Sequence, residues 1–232
     1  MKTRASLRGF TLVELAIVLV IVGLLIGTLM PPLSAQIDQR NANETQQKLN
    51  DARDALIGFA AVNGRLPCPA APTTATGTAG AGVEYAATAS GCTTSTSGVL
   101  PWITLGLPET DAWGRRFTYH VADDFAKTIA PGKTAAFDLA TNGNINVLST
   151  AGGSTVATAI PALFLSHGKN GLGAYMPDGT RQSLPTDTDE QENSDADHSY
   201  VSKGLVGTFD DQVNWVPPLI LMHKMLSASR LP

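Results

Sequence analysis

The chain has 232 residues, enough for one domain of moderate size and an appendage. Its formal charge is −4, and without Lys2, Arg4 and Arg8 only 13 of the 16 bases remain against 20 acids. A body this acidic argues against nucleic-acid binding, which leans on Lys and Arg to neutralise phosphates. The hydrocarbon is front-loaded: Phe10 to Met30 is nearly pure apolar sequence, and the rest is rich in Gly, Ala, Thr, Ser and Asp.

The first nine residues, MKTRASLRG, carry three bases and no acid, so they are expected to stay in the cytoplasm. The 21 residues that follow span about 30 Å as a helix. A cleavable secretory signal has a shorter apolar core and a small-residue cut site; Met30-Pro31-Pro32-Leu33 does not match one. Hydropathy alone therefore gives a single-pass anchor with its C-terminal body outside. Glu14 is unexplained by that reading, because a carboxylate in lipid costs roughly 2.5–3.5 kcal/mol or more.

Gly9-Phe10-Thr11-Leu12-Val13-Glu14, behind a short basic leader, resembles the processing site of type IV prepilins and of the pseudopilins of type II secretion. The resemblance implies that a prepilin peptidase cuts between Gly9 and Phe10 and methylates the new amine of Phe10. It places Pro31 at a common proline position of the family's helix. It also implies other pilin or pseudopilin subunits and an inner-membrane assembly platform as partners. The anchor would then lie in the inner membrane, the head in the periplasm, and the mature chain in a filament driven by an assembly ATPase. Glu14 now has a reason. The processed amine of a staggered neighbour would meet this carboxylate, where the plain alternative is a Glu snorkelling to the interface.

Beyond the bilayer, Leu33, Ile37, Leu49, Ala52, Leu56 and Phe59 recur at mostly helical spacing among polar residues. Pro31-Pro32 is expected to kink or melt the helix locally. Asn63-Gly64, followed by Pro67, is expected to end it. The layout expected is a leader over 1–9, a membrane and polymerisation helix over 10–30, its continuation over 31–64, and a periplasmic head over 65–232.

Residues 70–98 are small and polar and read as a long loop, with one short strand around Val83–Ala87. Cys68 and Cys92 bracket it. They are the only cysteines, and an oxidising periplasm favours their pairing. Candidate strands follow at Phe117–Val121, Ala135–Leu139, Ile145–Leu148, Ala162–Ser166 and Gln212–Val216, with a turn at Asn142-Gly143-Asn144. Pro217 to Ser229 reads as a C-terminal helix with proline in its first turn. A helix followed by an antiparallel meander is an α+β layout. It agrees with the pilin-like fold that the resemblance implies: a long N-terminal helix, half in the membrane and half embedded, packed on an antiparallel sheet.

A second resemblance lies in the head. Asp111-Ala112-Trp113-Gly114 is similar to the Asp-Pro-Trp-Gly turn of major type II pseudopilins, with Ala112 in place of proline. Ser166-His167-Gly168-Lys169-Asn170-Gly171 is similar to their Ser-x-Gly-x-Asp-Gly stretch, and Asp211 to Trp215 matches their Asp-x-x-x-Trp ending. In that family this loop region binds calcium. Six acids between Asp187 and Asp197 repel unless solvated or neutralised. Asp189, Glu192, Asp195 and Asp197 are the expected calcium ligands, against the reading that the run is a solvated loop.

Enzyme signatures are not found. His120, His167, His198 and His223 are scattered, with no HExxH pair. No Gly-x-Ser-x-Gly elbow is present, and Gly132-Lys133-Thr134 lacks the first Gly of a phosphate loop. Asp123-Asp124 and Asp210-Asp211 read as solvated turns. Two function classes remain: a structural filament subunit, or a filament-borne binding module whose loop 70–98 contacts a secreted protein, a surface or DNA.

Overall fold

The computed structural model describes residues 10–231, and side chains throughout that range except for residues 27–33. The expected leader, Gly9 included, lies outside the described residues. The chain divides into two compact units, Met1–Arg40 and Asn41–Pro232.

In the first unit, α1 (Leu12–Asn63) begins, and every side chain from Phe10 to Ile26 is exposed. The helix is unbroken through Pro31-Pro32, so the expected local melting does not occur. Two missing donors remove only two rungs from a 52-residue ladder. Among the described residues no helix is long and apolar enough to cross a membrane.

In the second unit, α1 turns one face inward. Thr45, Leu49, Ala52, Leu56 and Ala60 are buried, at steps of three and four residues. Leu49, Ala52 and Leu56 are thus as expected, while Phe59 is half-buried beneath the Arg65 guanidinium. The helix stops at Gly64, whose N–H donates to Ala60 O at 2.7 Å. Its φ is +70°, and a Cβ would lie 2.5 Å from Thr134 O, so glycine is required. From the far end of the chain, Arg230 donates to the last-turn carbonyls of Ala61 and Val62.

The elements after α1 are short. A hairpin pairs β1 (Ala87–Thr88) with β2 (Gly91–Cys92). Then come β3 (Ser97–Val99), α2 (Trp102–Leu105), β4 (Thr118–Val121), α3 (Asp123–Ala126), β5 (Ile145–Leu148), β6 (Thr155–Ile160) and β7 (Ala162–Ser166). The chain finishes with α4 (Thr188–Glu192), β8 (Ser199–Val201), β9 (Gln212–Trp215) and α5 (Pro218–Ser227). A four-stranded antiparallel sheet runs β3-β4-β7-β9, and a three-stranded sheet runs β6-β5-β8 with β5 and β8 parallel. The fold is α+β and pilin-like: a long N-terminal helix packed on an antiparallel sheet, with a smaller mixed sheet beside it.

One core joins the inward face of α1 to Phe117, Tyr119, Phe164 and, from α5, Leu221 and Met225. A second holds Ile145, Val147, Ile160, Leu163, Leu165 and Tyr200. Ala135–Leu139 is not a strand. Ala135 and Phe137 are buried and Ala136 is half-buried, and Phe137 packs on Phe125 at 4.6 Å. The alternation is present, but no neighbouring strand pairs with it. No turn forms at Asn142-Gly143-Asn144; Gly143 instead lets the chain pass close to β6, where a Cβ would fall 1.9 Å from Ile160 O.

The long loop is held from inside. Arg116, with a fully buried side chain, donates to Glu109, Pro72 O, Thr76 Oγ1 and Pro177 O, and lies over the Trp102 ring. Cys68 and Cys92 form a disulfide across 24 positions. Replacing both cysteines by serine should lower unfolding free energy by roughly 3–4 kcal/mol, the chain-entropy value for a loop of about 25 residues. Urea titrations of oxidised wild type and the double variant measure it.

Candidate functional site

The start of α1 is built by Thr11 and Glu14. Thr11 Oγ1 accepts from Glu14 N at 3.2 Å, and Glu14 Oε2 accepts from Thr11 N and Thr11 Oγ1, both at 2.9 Å. This is a reciprocal capping box, readable in Thr-x-x-Glu but missed in the sequence analysis. Phe10, just before it, is 83% exposed. Pro31 lies within the helix.

The second place is the corner at the end of β7. Ser166 Oγ donates to Asp111 Oδ2 at 2.6 Å, and Asp111 Oδ1 accepts from the N–H groups of Trp113 and Arg115 at 2.9 Å. The same turn donates from Ala112 N to Thr45 Oγ1 on α1. Arg115 Nη1 reaches Gly168 O at 2.8 Å. The Asp111–Gly114 turn and the Ser166–Gly171 stretch, distant in sequence, thus share one hydrogen-bonded corner.

Three carboxylates meet beside it. Glu190, Asp210 and Asp211 each present an oxygen within 4.8 Å of the others, a group that can hold a metal ion. Glu190 stands in the first turn of α4, which starts there because Asp187 caps the N–H groups of Asp189 and Glu190. Asn170 ties two of the acids, with N to Asp210 Oδ2 and Nδ2 to Glu190 Oε1, both 2.8 Å. Asn193 Nδ2 holds Asp211 Oδ2 at 2.8 Å. Glu190 and Asp210 line an open cleft of about 460 Å³ together with Asp187 and Thr208.

Asp211 is 2% exposed, so Asp210-Asp211 is no solvated turn. Burial pushes its carboxyl well above the usual range, and Glu190, Asp210 and Asp187 add to the rise. Burial also raises Glu190 and Asp210, although Arg115 and Lys169 favour the ionised form of Asp210. Among the described residues, Asp210 Oδ1, Asp211 Oδ1 and His167 Nδ1 are buried without a hydrogen-bond partner.

The four acids expected as ligands stand elsewhere. Asp189 accepts from Ala151 N at 2.7 Å and pairs with Lys203. Glu192 is half-buried at the end of α4. Asp195 and Asp197 are exposed and accept from Asp197 N and Ser199 N in successive turns. The acids the structure gathers include Asp211, which the Asp-x-x-x-Trp resemblance had marked.

Residues 4–30 match the family model for the prokaryotic N-terminal methylation motif. The chain carries the mark of the type IV pilin and pseudopilin family. Such a pilin-type start implies processing by prepilin peptidase and an N-terminal helix that anchors the chain in a membrane. Members of this family are generally structural subunits. No curated protein and no solved structure matches the chain.

The buried carboxylates of the head predict a pH dependence. A raised Asp211 binds its proton more tightly folded than unfolded. Its contribution to stability is therefore full below the unfolded value, near 4, and is lost as pH rises through the folded value. Asp211→Asn cannot ionise. With chelator present it should be more stable than wild type at pH 7.5, and the gap should shrink toward pH 4.5. Urea unfolding at the two pH values reads this directly.

Proposed function

We propose that this chain is a filament subunit of a type II secretion pseudopilus or a type IV pilus. The observation that carries the reading is the methylation motif over residues 4–30. The exposed apolar surface from Phe10 through the first turns of α1 to Ile26 supports it, since such a surface suits lipid or the apolar helices of like subunits. Prepilin peptidase cuts after Gly9 and methylates Phe10. The segment Phe10–Met30 anchors the chain in the inner membrane, the head lies in the periplasm, and the assembly platform adds the subunit to others. Glu14 receives the amine of a neighbouring Phe10, which fixes the stagger.

The carboxylates Glu190, Asp210 and Asp211 fit a hard cation such as calcium. All donors are oxygens, two of them lack partners, and burial makes their shared negative charge costly. A bound cation supplies the opposite charge, and these residues then tie α4 to the segment entering β9.

Mass spectrometry of assembled filaments should find an N-terminus at methylated Phe10, and Gly9→Val should leave the leader attached. Intact Met1 in filaments would sink the reading. Glu14→Val should insert normally but incorporate poorly, while Thr11→Ala, which keeps the carboxylate and breaks the cap, should incorporate. Equal incorporation of all three proteins would remove the pairing role of Glu14. Calcium at about 100 times its Kd should raise stability by about 2.7 kcal/mol by mass action. Identical melting midpoints in millimolar calcium and in chelator would rule the cation out.

A further inference from the structure

We propose that His167 is the positioning residue of this cation site, its Nδ1–H holding Asp211 as an oriented carboxylate. The inference rests on the cation reading of Glu190, Asp210 and Asp211. His167 replaces no ligand in that group; it stands behind one.

The imidazole is 1% exposed and lies between two polar groups. On one side Nε2 is 2.9 Å from Thr118 Oγ1. On the other, Nδ1 is 3.8 Å from Asp211 Oδ1, and both of these atoms are buried without a hydrogen-bond partner. The ring is boxed in from a third side: a Cβ on Gly173 would lie 3.4 Å from His167 Cε1.

Its tautomer follows from the partners. A neutral imidazole offers one donor and one acceptor, and a carboxylate only accepts. The Thr118 hydroxyl adapts to either role. With Thr118 donating to Nε2, the ring proton sits on Nδ1 and faces Asp211. The other tautomer would turn its N–H to Thr118 and set the Nδ1 lone pair against a carboxylate oxygen, with no donor between them.

The Asp211 carboxylate has one oxygen fixed already, because Asn193 holds Oδ2 and is itself clamped to Val201 through both its amide atoms. Oδ1 remains to be set. At 3.8 Å its contact with Nδ1 is too long for a hydrogen bond, and the proposed role has these two unpartnered atoms close to hydrogen-bond distance when the cation binds. A cation shared with Glu190 and Asp210 requires Asp211 ionised and in one orientation. Nδ1–H is the buried donor placed to secure both.

Calcium chloride titrated calorimetrically into the full chain in detergent micelles tests this on wild type, His167→Asn, His167→Gln and His167→Phe. Asparagine puts an amide N–H near the Nδ1 position, whereas glutamine reaches toward Nε2 and phenylalanine keeps only the ring. Wild type and His167→Asn should bind alike. His167→Gln and His167→Phe should bind about 10-fold more weakly or worse, the usual loss when an outer partner of a ligand is removed. Melting in chelator establishes that each variant folds; if His167→Phe does not, the Asn and Gln variants decide. Equal affinity in every variant, or a loss in His167→Asn as large as in His167→Gln, overturns the role of His167 and leaves the cation site standing. No binding to wild type overturns the site itself, and this inference with it.

Discussion

Every side chain of β7 is buried. Ala162 and Phe164 face the core shared with α1, while Leu163 and Leu165 face the core of the second sheet. The strand also has neighbours on both edges, β4 and β9. Burial of one Leu or Phe is worth about 1.5–3 kcal/mol, so no residue of β7 can shift without exposing or unpairing something. The consequence lies at its end. Ser166, His167 and Gly168 leave the most constrained strand of the head, and the Asp111 turn is fastened to them through Ser166 Oγ and Gly168 O. Through Ala112 and Thr45 the same turn is fastened to α1. The corner that carries the acids is thereby held by both layers.

Asp211 differs from the head's ion-paired acids. Glu84 faces Arg65 through two contacts of 2.8 and 2.9 Å, Glu109 faces Arg116, and Asp189 faces Lys203. Asp211 has an asparagine donor and carboxylate neighbours instead. Desolvating an ion costs several kcal/mol, and a partner of opposite sign is what offsets it. Neutral donors orient a carboxylate well but offset only part of that cost. Such an arrangement is stable either protonated or with a cation added from solution, and the cleft beside Glu190 and Asp210 opens the second route.

Where the apolar pattern and the burial coincide, the sequence was readable. Leu49, Ala52 and Leu56 announced the inward face of α1; Ala162–Ser166 announced β7; Pro217 announced α5. Other elements left weak local signals. β6 reads TVATAI, half-exposed at the edge of its sheet, and β8 has only three residues. Its parallel pairing with β5 is decided by tertiary packing, which local sequence does not encode. Ala135–Leu139 shows the converse, alternation without a ladder partner. For the acids, the run Asp187–Asp197 read as one loop. Its first part instead winds into α4, which turns Glu190 toward Asp210 and leaves Asp189 beside Lys203. Asp210-Asp211 looked like a turn because paired acids usually are. The contrary signal was its place directly before a strand entering the core.

Glu14 and Asp211 set the same electrostatic problem and answer it differently. A carboxylate taken from water needs donors or a cation. At Glu14 the donors come from the chain itself: the first turn of any helix has unbonded N–H groups and a positive dipole end, and Thr11 adds a hydroxyl. In lipid those N–H groups would also lack water, so acid and helix start each satisfy the other's need. This local capping gives the acid donors that need no neighbouring chain. In the proposed filament, the amine of a neighbouring Phe10 would add its charge to a carboxylate that already has donors of its own. At Asp211 the surrounding helix α4 is one turn long and its first N–H groups are already taken by Asp187. The chain supplies Asn193 and sets His167 close by, and the acid is left to keep its proton or to meet a charge from outside the protein.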